Sequence, residues 1–254
     1  MEKVISRLFD LYLIQHRHYL VQYPGGYYIT RTPDQSFPIR RYMIEEHLEG
    51  KKTLGTFAGK YLTKFICFDV DYRNENIAKW ITYKIVDTLE NAGIRDYAVS
   101  FSGSKGYHID IFLNKAISVQ SARKFFELVV KFAEIDEGAE AAAHGQVEFR
   151  PTDKQGVKLP LGIHQKTGNY CGFCRIEDRL KVMDCDESVA FLFSLKKIDS
   201  NVVLDFIAEN APTYDQYDAE DMEDVVGKYT PLSTYVSVKK SPPMYSMGTL
   251  VIYD

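Results

Sequence analysis

Asp69 and Asp71 close an apolar run, Phe65-Ile66-Cys67-Phe68-Asp69-Val70-Asp71, and their spacing is the first in the chain that suggests chemistry. Side chains alternate between the two faces of a strand, so both acids project one way while Ile66, Phe68 and Val70 project the other. Carboxylates that close repel unless a proton or cation sits between them. A hard divalent cation such as Mg2+ takes oxygen ligands and keeps positions open for water and phosphate. Further on, Ser102-Gly103-Ser104-Lys105-Gly106-Tyr107-His108 reads as strand, glycine-rich turn, strand. The backbone N–H groups freed at Gly103 and Gly106, the Ser102 hydroxyl and the basic side chains of Lys105 and His108 suit a triphosphate.

Elements that could position these groups follow from hydrophobic periodicity. Strands are expected at 65–71, 97–102, 107–113 and near 147–149, with helices at 77–91 and 119–133 between them. That order is β-α-β-β-α-β, which gives an antiparallel sheet with both helices on one face, as in RNA-recognition-like folds. Strand parity supports it. Ile66, Phe68, Val70, Ile109, Ile111, Leu113, Val147 and Phe149 fall on one face, and Asp69, Asp71, His108, Asp110 and Glu148 on the other. Three strands thereby bring their ionisable groups to a shared open face.

Around this sheet, residues 1–60 read as an N-terminal α/β module: a helix from 2 to about 20, a strand at 27–30, a helix at 40–48 and a strand at 53–57. A second region, read as the one that carries the chemistry, is expected over 61–210, ending in a strand at 170–176 and helices at 187–195 and 200–209. The loop between Glu148 and that strand carries Lys158, His164 and Lys166 beside the carboxylates. Residues 211–254, with seven acids against three bases, are expected to form an acidic flexible tail or linker.

Composition sets bounds on these readings. The net charge of -4 is that of the tail, so the body is neutral and lacks the basic footprint of a high-affinity duplex binder. Hydrophobic content of 45% and charged content of 26% are ordinary for a globular protein. No apolar run is long enough for a membrane span, the N-terminus lacks a signal-peptide pattern and the four cysteines are sparse, so a cytoplasmic protein is expected. Cys171 and Cys174, with Cys185 and His164, have a zinc-like composition, yet a closed zinc site wants four ligands and a lone Cys-x-x-Cys reads better as packing. Taken singly, the other signals also have plain readings. Asp-x-Asp is common at solvated strand ends, Ser102 to Gly106 is an ordinary hairpin turn, and Asp110 could pair with Lys105 or His108.

In combination and in this order, the motifs resemble the archaeo-eukaryotic primase superfamily: Phe68-Asp69-Val70-Asp71, then Ser102 to His108, then Glu148. Leu159-Pro160-Leu161-Gly162-Ile163-His164 with Lys166-Thr167-Gly168, and His47 to Lys51 with Thr53-Leu54-Gly55, are similar to segments of bacterial and phage primase-polymerases. The resemblance covers roughly residues 40–176 and implies the primase fold. It also implies template-directed nucleotidyl transfer with two divalent ions, Mg2+ or Mn2+, held by Asp69, Asp71 and Glu148. Ser102, Lys105 and His108 would hold phosphates, Lys158 and His164 would contact the nucleotide from the other side, and Asp110 and Phe112 would touch base or sugar. The implied partners are single-stranded DNA template, primer and NTP or dNTP, together with a helicase or further domain from the same operon or a longer chain. The competing expectation is an RNA-recognition-like module that binds single strands or a nucleotide without catalysis. Acids stand where such a module carries paired aromatics. A nucleotide cyclase on a similar sheet is weakened by the hairpin motif and the basic segment after Glu148. Sugar preference and de novo initiation stay open.

Overall fold

The computed structural model describes residues 1–211 apart from 33, 35–36 and 136–143. The acidic tail expected at 211–254 thus lies, but for its first residue, outside the described residues. Two four-stranded antiparallel sheets carry the chain. In the first, β1 (Tyr19–Gln22) lies between β2 (Tyr28–Arg31) and β3 (Thr53–Thr56), and β8 (Val157–Lys158) adds to the edge of β3. In the second the order is β5-β6-β4-β7, formed by β4 (Leu62–Tyr72), β5 (Ala98–Phe101), β6 (Tyr107–Ser118) and β7 (Gly145–Arg150). This is the expected mixed α/β class, with the β-α-β-β-α-β order intact.

One face of the second sheet is covered by α3 (Glu75–Asn91) and α4 (Val119–Phe132). Each helix starts where a side chain satisfies its free N–H groups: the Asn74 amide oxygen accepts from Asn76 and Ile77, and the Ser118 hydroxyl from Ser121. Ile66, Phe68, Val70, Ile109, Ile111, Leu113 and Phe149 are buried against these helices, as strand parity predicted. Phe68 stacks on Phe126 at 5.0 Å between ring centroids. Beyond the sheets, the hairpin β9 (Cys174–Arg175) and β10 (Lys181–Val182) leads into α5 (Cys185–Ser194), which opens with an Asp184–Glu187 capping box, and α6 (Ser200–Asn210), which packs back on α4.

The opposite face is only half open. α1 (Glu2–Tyr12), α2 (Arg41–Leu48) and the first sheet bury Phe65, Cys67, Ala98 and Phe112 in a second core. The Tyr12 ring meets Phe65 at 5.1 Å and Phe112 at 5.0 Å, both edge-on. Residues 65 to 68 are therefore buried on both faces, and from Asp69 onward the strand is covered on one face only. Phe112, expected to reach a base or sugar, is instead fully buried by this packing.

Two boundaries differ from expectation. The helix read as running to about residue 20 stops at Tyr12, where Leu13 turns extended, because Tyr19-Leu20-Val21 gains ladder partners on both sides as the strand between β2 and β3. The strand read at 170–176 shrinks to Cys174–Arg175. Its earlier part passes through the single bridges Ile163↔Tyr170 and Ser100↔Phe173.

His47 ties α2 to the loop that follows β8. Its Nε2–H donates to the Pro160 carbonyl at 2.9 Å and its Nδ1 accepts from the Leu54 N–H at 3.1 Å. Complete burial pulls its pKa from 6.5 down to about 4, so the folded protein holds it neutral. Stability from this group is fully present above pH 6.5 and is lost as pH falls towards 4. The loss is about 3 kcal/mol at an order-of-magnitude level, from the size of the shift. Denaturation of wild type and His47→Gln over this range should show that pH slope largely removed in the variant; equal slopes would refute the assignment.

Candidate active site

Strand register stacks the polar side chains of the half-open face into rows. Asp69 pairs with His108 on β6 and Glu148 on β7, and His108 pairs in turn with Ser100 on β5. One row towards the covered half, Cys67 pairs with Asp110 and Arg150; one row outward, Asp71 pairs with Gln146. Asp69 therefore stands at the edge of the covered region with a titratable neighbour on each side.

Its charge is flanked by basic side chains. His108 Nε2 lies 3.4 Å from one carboxylate oxygen and Arg150 Nε 3.4 Å from the other. Burial alone would raise the Asp69 pKa, but His108, Arg150 and Lys158 outweigh it and hold the carboxyl below the usual range. Arg150 also binds Glu148 through its terminal nitrogen, while Gln146 Nε2 donates to the other Glu148 oxygen at 2.7 Å. Its Nε is close to Asp69 without the alignment of a hydrogen bond. Asp71, by contrast, is more than half exposed, with Lys105 Nζ at 3.9 Å.

These groups line a cleft of 460 Å³. β4, β6 and β7 supply Asp69, Asp71, His108 and Arg150; the 102–106 turn supplies Ser102, Ser104 and Lys105. The opposite wall comes from the first sheet and the loop after it: Tyr28 and Thr30 of β2, Lys158 of β8, and His164. Lys158 Nζ donates to the Ser102 carbonyl at 2.6 Å, bridging the two walls, and burial lowers its pKa against the pull of Cys171, Asp69 and Asp71. Burial, with Lys158 and Lys166 nearby, draws His164 down to about 4. Its Nδ1 accepts from the Thr167 N–H at 3.2 Å, which leaves Nε2 as the protonated nitrogen of a neutral ring.

The turn needs its two glycines for close approach. A Cβ on Gly106 would come 1.7 Å from the Val70 carbonyl oxygen, between the two catalytic-candidate acids. Gly103 has φ +84°, and a Cβ there would meet His164 at 2.5 Å and Cys171 Sγ at 2.7 Å. The Ser102 hydroxyl accepts from the Gly106 N–H at 3.2 Å, which shapes the turn. Both glycines thus set the turn against its neighbours, and neither lines the cleft.

Of the residues singled out in the sequence, Asp69, Asp71, Ser102, Lys105, His108, Lys158 and His164 meet at the cleft, and Glu148, beside Asp69 on β7, pairs with Arg150 and does not line it. Asp110 is a correction. It is 2% exposed beneath the Asp69 row, accepts from the Tyr12 hydroxyl at 2.9 Å and touches neither Lys105 nor a nucleotide-sized space. Burial raises its pKa against the opposing pull of His108, Cys67 and Tyr12, and its second oxygen has no aligned hydrogen-bond donor among the described residues. Tyr28, one of a group of tyrosines that the sequence offers for stacking on bases, does line the cleft, whereas Arg150 and Thr30 carry no such sequence reading. Arg150 shares the parity of Glu148 and could have been found from it; nothing local marks Tyr28 or Thr30 as facing Asp69.

A hard, oxygen-only donor set of Asp69, Asp71 and Glu148 fits a divalent ion in chemistry. Among the described residues, no three His, Cys, Asp or Glu side chains converge as metal ligands, and Glu148 is paired with Arg150. Cys171 and Cys174 are buried as free thiols, and Cys185 is exposed. No described helix is long and apolar enough to cross a membrane.

No curated protein matches the chain. Two solved structures are similar to it. The archaeo-eukaryotic primase domain of the cyanophage S-2L primase-polymerase is 13% identical, with a TM-score of 0.43, over 75% of this chain and 97% of that one. The polymerase domain of Mycobacterium tuberculosis ligase D, in complex with DNA, is 12% identical, with a TM-score of 0.49, over 83% of this chain and 91% of that one. The family of archaeo-eukaryotic primase domains from TOTE conflict systems matches residues 29–206, which takes in the whole second sheet, β3 and β8 of the first, and the loop after β8, but not β1. The chain belongs to this archaeo-eukaryotic primase domain family, as its motifs implied.

Proposed function

We propose that the protein is a template-directed nucleotidyltransferase, a primase-polymerase that makes or extends a primer on single-stranded DNA. The observation that carries this reading is the cleft itself. Two acids on one strand face Ser102, Lys105, Lys158 and His164 across a space of nucleotide size. Divalent Mg2+ or Mn2+, when held by Asp69, Asp71 and Glu148, would supply charge neutralisation of the triphosphate and a lowered pKa for an attacking 3′-hydroxyl.

The chain's own residues do the positioning. The Ser102 hydroxyl and Lys105 ammonium meet phosphate oxygens from the turn, while Lys158 and the Nε2–H of neutral His164 meet them from the opposite wall. His108 fixes the Asp69 carboxylate and keeps it ionised, and Tyr28 and Thr30 confine the sugar or base. Preset charge of this kind is the main contribution a protein makes to phosphoryl transfer. Arg150 stands in for positive charge between Asp69 and Glu148 and therefore competes with a divalent ion for both acids.

Two outcomes follow. Asp69→Ala with Asp71→Ala should lower nucleotide incorporation on a primed template on the order of 10³-fold or more, with the circular dichroism spectrum unchanged. A folded double variant with full activity would sink the reading. Arg150→Met should tighten Mn2+ binding, measured by calorimetry without nucleotide, by about tenfold, the effect of removing a cation a few ångströms away in a partly screened site. Equal or weaker Mn2+ binding would show that Arg150 does not compete.

A further inference from the structure

A second cavity, of 570 Å³, lies on the other side of the 102–106 turn and shares Ser104 and Lys105 with the cleft as a common lip. Its walls come from four separate places: Arg73 after β4, Lys79 on α3, Lys105 on the turn, and Arg179 with Lys181 on the β9–β10 hairpin. Phe101 and Tyr107 line it too, with ring centroids 5.9 Å apart.

Charge in this groove is not cancelled internally. Glu75 pairs with Lys79 at 2.7 Å and Asp178 sits 4.0 Å from Lys181, and these are the acids of its lining. The Arg73 and Arg179 side chains have no ion-pair partner among the described residues, and both are exposed. The hairpin holds its cation in place. Leu180 is buried in the main core at 2% exposure, while Arg179 and Leu180 both take positive φ, at 52° and 59°. Non-glycine residues reach this region at a conformational cost. Here the buried Leu180 keeps its exposed neighbour at the rim.

We infer that this groove is a track for the phosphate backbone of a single nucleic-acid strand entering or leaving the cleft. This inference rests on the nucleotidyltransferase reading and adds the location of its strand. Cations spread along a groove from several elements match a polymer that carries one charge per nucleotide, whereas a lone phosphate is held by donors converging on one point. Continuity with the cleft through Lys105 places the strand beside the carboxylates. Phe101, only partly buried in the lining, offers an aromatic edge to a base, while Tyr107 behind it is buried in the core.

The test uses the full chain and a fluorescein-labelled oligo-dT strand, read by anisotropy across a range of KCl concentrations. Arg179→Glu with Lys181→Glu should weaken binding by at least about tenfold at low salt. Removal of two phosphate contacts should also reduce the slope of log K against log salt by about 1.4. The neutral pair Arg179→Gln with Lys181→Gln should fall between this variant and wild type, with its melting temperature confirming the fold. Binding of a nucleoside triphosphate with Mg2+, followed by thermal shift, should stay at the wild-type level because the hairpin is outside the cleft. Unchanged strand affinity and salt slope in the Glu variant would overturn the inference while leaving the nucleotidyltransferase reading intact. A variant that loses triphosphate binding as well would overturn it too. Wild-type protein that binds triphosphate but no strand would overturn both.

Discussion

A carboxylate on a central strand, with acids beside and opposite it, stays ionised only where positive charge surrounds it. Asp69 is that carboxylate, and much of the site is arranged to meet its requirement. His108 comes from the neighbouring strand on one side, Arg150 from the strand on the other, and Lys158 from a different sheet. Repulsion among Asp69, Asp71 and Glu148 would otherwise favour protonation, and a protonated acid is a poor ligand for a hard cation.

The same strand must also belong to a core. Residues 65 to 68 of β4 are buried on both faces, which anchors the strand rigidly before it reaches Asp69. Tyr12 marks the edge of that burial. Its ring packs on Phe65 and Phe112, and its hydroxyl satisfies one oxygen of Asp110. The polar edge of the cleft thus begins where the aromatic packing of α1 ends. Precise placement of charged groups favours a site built on strands whose other residues are locked by packing.

The opposite wall is assembled from distant parts of the chain. β8 completes the first sheet by pairing with β3, which carries Lys158 into hydrogen-bond contact with the 102–106 turn. Thr167 and Asn169 close the loop by donating to the Gly103 carbonyl at 2.6 and 3.1 Å. His47 pins the far end of the same loop through Pro160. The turn is thereby held by Lys158, Thr167 and Asn169, and the missing side chain at Gly103 is what lets His164 and Cys171 of the loop approach it.

Local physics made a large part of this legible in the sequence. Alternation along a strand has a period of two, so the division of β4, β6 and β7 into an apolar face and an acidic face could be read residue by residue, and so could the order of strands and helices. Asp69, Asp71, Ser102, Lys105 and His108 lie on or beside those strands, and they meet at one cleft. What required the tertiary structure was every feature set by packing between distant segments. The residues Tyr19-Leu20-Val21 continue an apolar helical pattern and become a strand only because β2 and β3 flank them. Asp110 has the parity of a site residue, yet α1 covers it and Tyr12 takes its oxygen. Glu148 faces Arg150, and Tyr28 and Thr30 face Asp69, through contacts that no spacing in the chain encodes. Periodicity assigns a side chain to a face; only the folded chain decides what lies against that face, because desolvation and ion pairing depend on through-space neighbours and not on sequence neighbours.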